Sequence, residues 1–200
     1  MKTILKTTVA LLLAAGTAVA APQVGQPAPA FTLTDSNGQA HNLSDFKGKF
    51  VVLEWLNHGC PFVVKHYGSG NMQKLQKEYT GKDVVWLSIA SSAPGKQGHM
   101  TPEETNKAKE EKGSAATAVL LDADGTVGKL YDAKVTPELY VINPDGVLVY
   151  MGAIDDKKSV DAADVAGAKN YVKQALDEAM SGKPVNEPST TAYGCSVKYN

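Results

Sequence analysis

Along the chain, apolar positions change their period in a way that separates strands from helices. FVVLEWL (50–56) and DVVWLSIA (83–90) are nearly continuous apolar runs, the pattern of strands covered on both faces. Between them, Phe62 to Tyr79 has helical spacing, and GSG at 68–70 is expected to bend that helix. FTLT and AHNL flank DSNGQ, whose Asn37-Gly38 pair signals a hairpin turn. PQVGQPAPA (22–30) carries three prolines and predicts no regular ladder. SSAPGKQGH is a loop, and TPEETNKAKEEK begins a helix with Thr101 at the N-cap, Pro102 at the first position and Glu104 completing a capping box. AVLLD (118–122) predicts a short strand and TVGKLYDA a brief helix. LYVIN (139–143) and VLVYMG (147–152) predict a hairpin around PDG. Val165, Ala168, Val172, Ala175, Leu176 and Ala179 recur at helical spacing and end near Gly182 and Pro184.

A hairpin, then alternating strands and helices, then a second hairpin and a last helix predict an α/β domain. Its sheet is mixed, with a parallel core, antiparallel strands at its margins and helices on both faces. That order matches a thioredoxin-like fold with an N-terminal β-hairpin extension and a C-terminal tail, 183–200.

The first twenty residues change the picture of where this domain works. Lys2 and Lys6, the apolar run Val9 to Ala15 and Ala18-Val19-Ala20 have the three parts of a secretory signal peptide. The expectation is a leader at 1–20, cleavage after about Ala20, and a mature domain at 21–200 in the periplasm or outside the cell. The apolar run is shorter than the ~20 residues a spanning helix requires, so no integral membrane segment is expected after its removal. A net charge of −1 favours neither nucleic acid nor an anionic surface. All 20 basic residues are Lys, so any chemistry that needs a guanidinium fork is unavailable.

The candidate chemistry sits in EWLNHGCPFVVKHY (54–67) and in the closing YGCSVKYN. If Pro61 takes the first helical position, Cys60 falls on the N-cap, where unpaired amides and the helix dipole favour thiolate over thiol. Lys65 and His66 lie more than a turn along and are candidates to add positive potential. His58, two residues before the sulfur, is a candidate proton shuttle. The competing reading makes Cys60 half of a permanent staple to Cys195, worth ~5 kcal/mol on the chain-entropy model of a long loop. An exported domain often carries such a staple, yet one of this size has a core sufficient to fold without it.

VGQPAPAFTL followed by LSDFKGKFVVLEWL resembles the opening of redoxins, the alkyl hydroperoxide reductase and thiol-specific antioxidant group of the thioredoxin superfamily. GCPFVVKHYGSGNMQ, WLSIASSAPGKQG and YGCSVKY are similar to exported bacterial thioredoxin-like redoxins. The resemblance covers about 22–200 and implies a thiol oxidoreductase with Cys60 as nucleophile. It further implies that Pro137, after Thr136, forms a cis peptide beside the sulfur, with the Thr136 backbone offering substrate contacts. Two features depart from the family. Val63 stands where a thioredoxin has its second Cys, so exchange within a four-residue loop is unavailable. Leu53 and Asn57 stand where peroxiredoxins carry Pro and Thr, and the peroxide-holding Arg is absent, with Lys65 or His66 as the remaining cationic candidates.

Cys195 is then the expected partner of a cycling disulfide, with Gly194 giving the backbone freedom to approach another element. The expected partners are a peroxide or protein disulfide as substrate and an external thiol as electron donor; no cofactor is expected. A non-catalytic binding module and a copper-handling protein using His58, Cys60 and His66 remain as alternatives. His41 and His99 are expected to be solvated, Met72, Met100, Met151 and Met180 to serve core or surface, and the pairs Glu103-Glu104 and Asp155-Asp156 to be surface charge.

Overall fold

The computed structural model describes residues 21–200, so the leader expected at 1–20 lies outside the described residues. Seven strands form one sheet: β1 (Thr32–Asp35), β2 (Ala40–Asn42), β3 (Val51–Trp55), β4 (Val85–Ala90), β5 (Ala118–Leu121), β7 (Glu138–Ile142) and β8 (Leu148–Gly152), in the order β2-β1-β5-β4-β3-β7-β8. β3, β4 and β5 run parallel, while β1, β2, β7 and β8 are antiparallel to their neighbours. Both predicted hairpins are present at the margins of the expected parallel core.

The apolar runs are buried because the sheet is covered on both sides. Val52, Trp86, Leu139 and Val141 point to one face, under α1 (Pro61–Gly68), α2 (Asn71–Thr80) and α5 (Tyr171–Met180). Val51, Leu53, Trp55, Leu87 and Ile89 alternate with them and pack with Phe31, Val127 and Tyr131 on the other. Each such large side chain, fully buried, stabilises the fold by about 1.5–3 kcal/mol. α3 (Pro102–Glu111) starts as its sequence predicts. Thr101 Oγ1 accepts from the Glu104 amide at 3.2 Å, and Glu104 Oε2 accepts from the Thr101 amide at 2.8 Å.

Four expectations are corrected. The stretch 62–79 is two helices, α1 and α2, because Gly70 adopts φ +74 and ends any continuous ladder. The last helix begins only at Tyr171, capped by the Asn170 side chain on the Lys173 amide at 2.8 Å; Val165 lies in a separate 3-10 turn, Ala162–Gly167, and Ala168 beyond it. His41 is not free in solvent: its ring nitrogen lies 2.9 Å from the buried Asp35 carboxylate. Asp155 is buried, at 2% exposure, rather than surface charge.

The C-terminal tail is ordered structure rather than a loose end. Ser189 bridges to Met151 on β8, and the Thr190 hydroxyl accepts from the Ala153 amide at 2.9 Å. Further along, β9 (Cys195–Ser196) pairs antiparallel with β6 (Val135–Thr136). Tyr199 then donates to the Ala133 carbonyl at 2.7 Å. The tail is thus a strap from the sheet edge, across the carboxyl end of β3, to α4 (Thr126–Leu130), where the Tyr199 ring lies against Gly125 and Gly128.

Candidate active site

β3 ends at Trp55, and the chain crosses Leu56 to Gly59 before α1 starts at Pro61. Asn57 holds that turn: its Oδ1 accepts from the Gly59 amide at 2.9 Å and its Nδ2 donates to the Gln97 carbonyl at 3.3 Å. Gln97 in turn donates to the Gly59 carbonyl at 3.0 Å. Pro61 is the first helical residue and Cys60 the N-cap, the placement its sequence predicts.

Cys60 is fully buried, with Val63 and Leu56 on its core side and Cys195 packed against the same cluster. Its Sγ lies 3.0 Å from the Thr136 carbonyl oxygen, to which the thiol donates. Burial pushes the Cys60 thiol up, but the Cys195 thiol, the Val63 and Cys195 backbone amides and the Thr136 hydroxyl together hold it below its ordinary value. Among the described residues the Thr136 hydroxyl has no other hydrogen-bond partner, so a thiolate at Cys60 would supply an acceptor to a buried group that otherwise lacks one. Cys195 is shifted the other way. Burial, its hydrogen bond to Cys60 and the Cys60 charge push it up to about 11, against a smaller pull from Lys198. Cys60 is therefore the more acidic thiol of the pair, and Cys195 keeps its proton at neutral pH.

Thr136-Pro137 is a cis peptide, and Thr136 is the register partner of Cys195 in the β6–β9 pair. Gly194 makes that approach possible: at φ +152 a Cβ there would meet the Thr136 carbonyl oxygen at 2.0 Å. Cys60, Thr136, Pro137 and Cys195 converge, and both cysteines are free thiols.

The other expected residues have different surroundings. His58 packs edge-on against Tyr67, ring centroids 5.2 Å apart, in a cleft with Val64, Gln73 and Lys112. Burial, with Lys112 adding to it, pushes its pKa down to about 4, so it is neutral at neutral pH. Lys65 and His66 belong to a separate buried cluster: Lys65 donates to the Lys157 carbonyl at 2.8 Å, and Lys65 Nζ and His66 Nε2 lie 3.8 and 3.9 Å from Asp155 Oδ2. They are spent on Asp155 rather than on the sulfur. The trio His58, Cys60 and His66 is not gathered as a ligand set, and among the described residues no group of three or more His, Cys, Asp or Glu is placed to hold a metal.

Two buried acids flank α1. Glu54, on β3, accepts from Trp86 Nε1 (2.8 Å), Ser88 (2.9 Å), Tyr67 (2.9 Å) and Gln76 (3.1 Å). Its signal in the sequence is a lone carboxylate inside an otherwise apolar strand. Asp155 accepts from the Tyr193 phenol and from the Lys157 amide. Its burial has no comparable local signal, because it depends on a side chain 38 residues away.

A mixed sheet with helices on both faces, a cysteine at a helix mouth and a cis-proline beside it define a redoxin of the thioredoxin superfamily. The chain belongs to the AhpC/TSA family, whose model matches residues 24–151. It is similar to the thiol-disulfide oxidoreductase ResA of Bacillus subtilis (strain 168), 30% identical over 125 residues. That match spans 62% of this chain and 64% of ResA, less than two thirds of the relative's length. It is also similar to the thioredoxin-like protein YneN of the same organism, 28% identical over 146 residues, covering 72% of this chain and 80% of that protein. Among solved structures, an uncharacterized conserved protein from Geobacillus kaustophilus is 30% identical, with a TM-score of 0.76 over 89% of this chain and 93% of that one.

Proposed function

We propose that this protein is an extracytoplasmic thiol oxidoreductase in which Cys60 and Cys195 cycle between dithiol and disulfide, with disulfide exchange as the main reaction. The observation that carries this reading is the convergence of the two cysteines: Cys60 caps α1 with its Sγ 3.0 Å from the Thr136 carbonyl oxygen, Cys195 is the register partner of Thr136, and the Cys60 thiol is held low while that of Cys195 is pushed up. The Cys60 thiolate attacks one sulfur of a substrate disulfide, the S–S bond breaks, and the substrate's other sulfur leaves as thiolate and takes up a proton. Cys195 then gives up its proton and attacks the Cys60 sulfur, forming Cys60–Cys195 and releasing the second substrate thiol. The substrate is reduced by two electrons and the protein is oxidised by two. An external dithiol returns the protein to its starting state.

Peroxide reduction is the second reading, favoured by the AhpC/TSA match alone. It requires stabilisation of the hydroxide or alkoxide that departs as the peroxide O–O bond breaks and one oxygen bonds to the Cys60 sulfur, and this chain has no Arg, while Lys65 and His66 are committed to Asp155. The extracytoplasmic site rests on the leader at 1–20 and fits a disulfide-forming compartment.

The test is to treat the fully reduced mature chain with equimolar glutathione disulfide or hydrogen peroxide and follow it by mass, with Cys60→Ser and Cys195→Ser alongside. Exchange predicts rapid closure of the Cys60–Cys195 bond with the disulfide, a trapped mixed disulfide on Cys60 in Cys195→Ser, and no reaction in Cys60→Ser. Faster oxidation by peroxide than by the disulfide would reverse the order of the two readings. A Cys60 inert to both would remove the redox function.

A further inference from the structure

We infer that Tyr193 is a positioning residue for the second thiol, fixed by Asp155 so that Cys195 is presented to Cys60; this rests on the reading that these cysteines form a disulfide. Tyr193 lies two residues before Cys195 and is 5% exposed. Its phenol donates to Asp155 Oδ1, its ring meets Phe62 edge-on at 5.6 Å between centroids, and Lys65 Nζ lies 6.0 Å from the ring centre. Phe62 and Lys65 stand on α1, the helix that Cys60 caps. The tail is therefore clamped to the same rigid element that carries the nucleophile, two residues from each sulfur. Gly194, pressed onto Thr136, is the only residue between the clamp and Cys195.

The acceptor itself is an expensive one. Lys65, His66 and Asp155 have side chains at most 1% exposed, and among the described residues the Asp155 Oδ2 and His66 Nε2 atoms have no hydrogen-bond partner. The Asn71 side-chain Nδ2 lies 2.9 Å from His66 Nδ1; with that group donating, the neutral ring carries its proton on Nε2, facing Asp155 from 3.9 Å. A buried charged cluster of this kind adds little net stability over apolar packing. What it provides is a carboxylate held from the helix side by Lys65 and from its own loop by the Lys157 amide at 3.0 Å, a fixed point for the Tyr193 hydroxyl. An anchored tail raises the effective concentration of Cys195 at Cys60, where a free tail would dilute it.

The experiment separates the two chemical steps. Reduced full-length protein is mixed with glutathione disulfide; the first step is read as glutathionylated Cys60 in a Cys195→Ser background, and ring closure as glutathione released by the two-cysteine chain. The variants are Tyr193→Phe, Tyr193→Ala and Asp155→Asn, each also unfolded in denaturant. Tyr193→Phe keeps the ring against Phe62 and is expected to slow closure about tenfold, the scale of a lost anchoring contact acting through effective concentration. Tyr193→Ala should slow it further, and Asp155→Asn should match Tyr193→Phe with no added loss in the double variant. The first step should hold its rate or quicken as the tail lifts. Closure at the parent rate in both Tyr193 variants, in a parent chain that does close, overturns the positioning role. A parent chain that takes glutathione on Cys60 and never closes overturns the disulfide reading, and the positioning role with it.

Discussion

Glu54 and Asp155 are both buried acids packed against α1, and they are held in opposite ways. Glu54 accepts four side-chain hydrogen bonds from α1, α2 and β4, all parts of the central domain. Asp155 accepts from the tail through Tyr193, and its second oxygen faces Lys65 and His66 without a hydrogen bond. A satisfied network locks the elements that supply it. An unsaturated one can bind or release a single donor at smaller loss. The first region therefore secures the platform under Cys60, and the second is a joint at which the strap carrying Cys195 is fastened.

The sharpest way to break this contrast is to empty each site. Glu54→Ala strands four buried donors and should cost about 4 kcal/mol or more in denaturant unfolding, at ~1–3 kcal/mol for each donor left unsatisfied. Asp155→Ala leaves the buried Lys65 without its counter-charge, a loss of about 3–5 kcal/mol, and differs from Glu54→Ala in slowing closure of the Cys60–Cys195 bond as well. Closure at the parent rate in Asp155→Ala, or closure slowed equally in Glu54→Ala, would erase the distinction.

The second effect is on pH dependence. Burial, with Lys65 adding to it and Asp155 opposing, pushes His66 down to about 4 in the folded chain. The unfolded chain, with an ordinary histidine value near 6.5, binds the extra proton first, so stability from this group is present above that value and lost as pH falls toward about 4. About 3 kcal/mol should disappear over that window. His66→Asn should flatten the loss, as read from denaturation midpoints in mildly acidic and neutral buffer; a parent chain with no acid sensitivity there would contradict it.

The smallest effect is expected at Gly194→Ala. Its Cβ would meet the Thr136 carbonyl oxygen at 2.0 Å, and the tail relieves this by lifting. The global cost should be about 1–2 kcal/mol, because only the strap is displaced. Alkylation of Cys60 by iodoacetamide should quicken, since the residue beneath the strap is fully buried in the parent. An unchanged alkylation rate would show that the strap does not guard the sulfur.

The comparison also separates what was legible in the sequence from what was not. Nearly continuous apolar runs announced β3 and β4, a capping box announced α3, and Cys60-Pro61 announced a sulfur at a helix mouth, because each is set by neighbours a few residues apart. Pro137 and the convergence with Cys195 came from family resemblance rather than from local pattern. Lys65 and His66 were placed beside the sulfur because they share its helix, whereas their direction is decided by Asp155, 90 and 89 residues away. Asp155 and Tyr193 were missed for the same reason. A charged residue beside another charge reads as surface until the tail that buries it is in place. Glu54 carried the opposite signal: a carboxylate inside FVVLEWL has no solvent to face and must find donors.

The division of the proton between the two thiols is open to direct measurement. Thiolate absorbance of the reduced chain, titrated against pH in the parent, Cys60→Ser and Cys195→Ala, should show one thiol ionising below the ordinary cysteine range. That ionisation should vanish in Cys60→Ser and move upward in Cys195→Ala, where the donor to the Cys60 anion is gone. Should the early ionisation persist in Cys60→Ser, Cys195 would be the activated thiol, and the assignment of nucleophile and partner would be wrong.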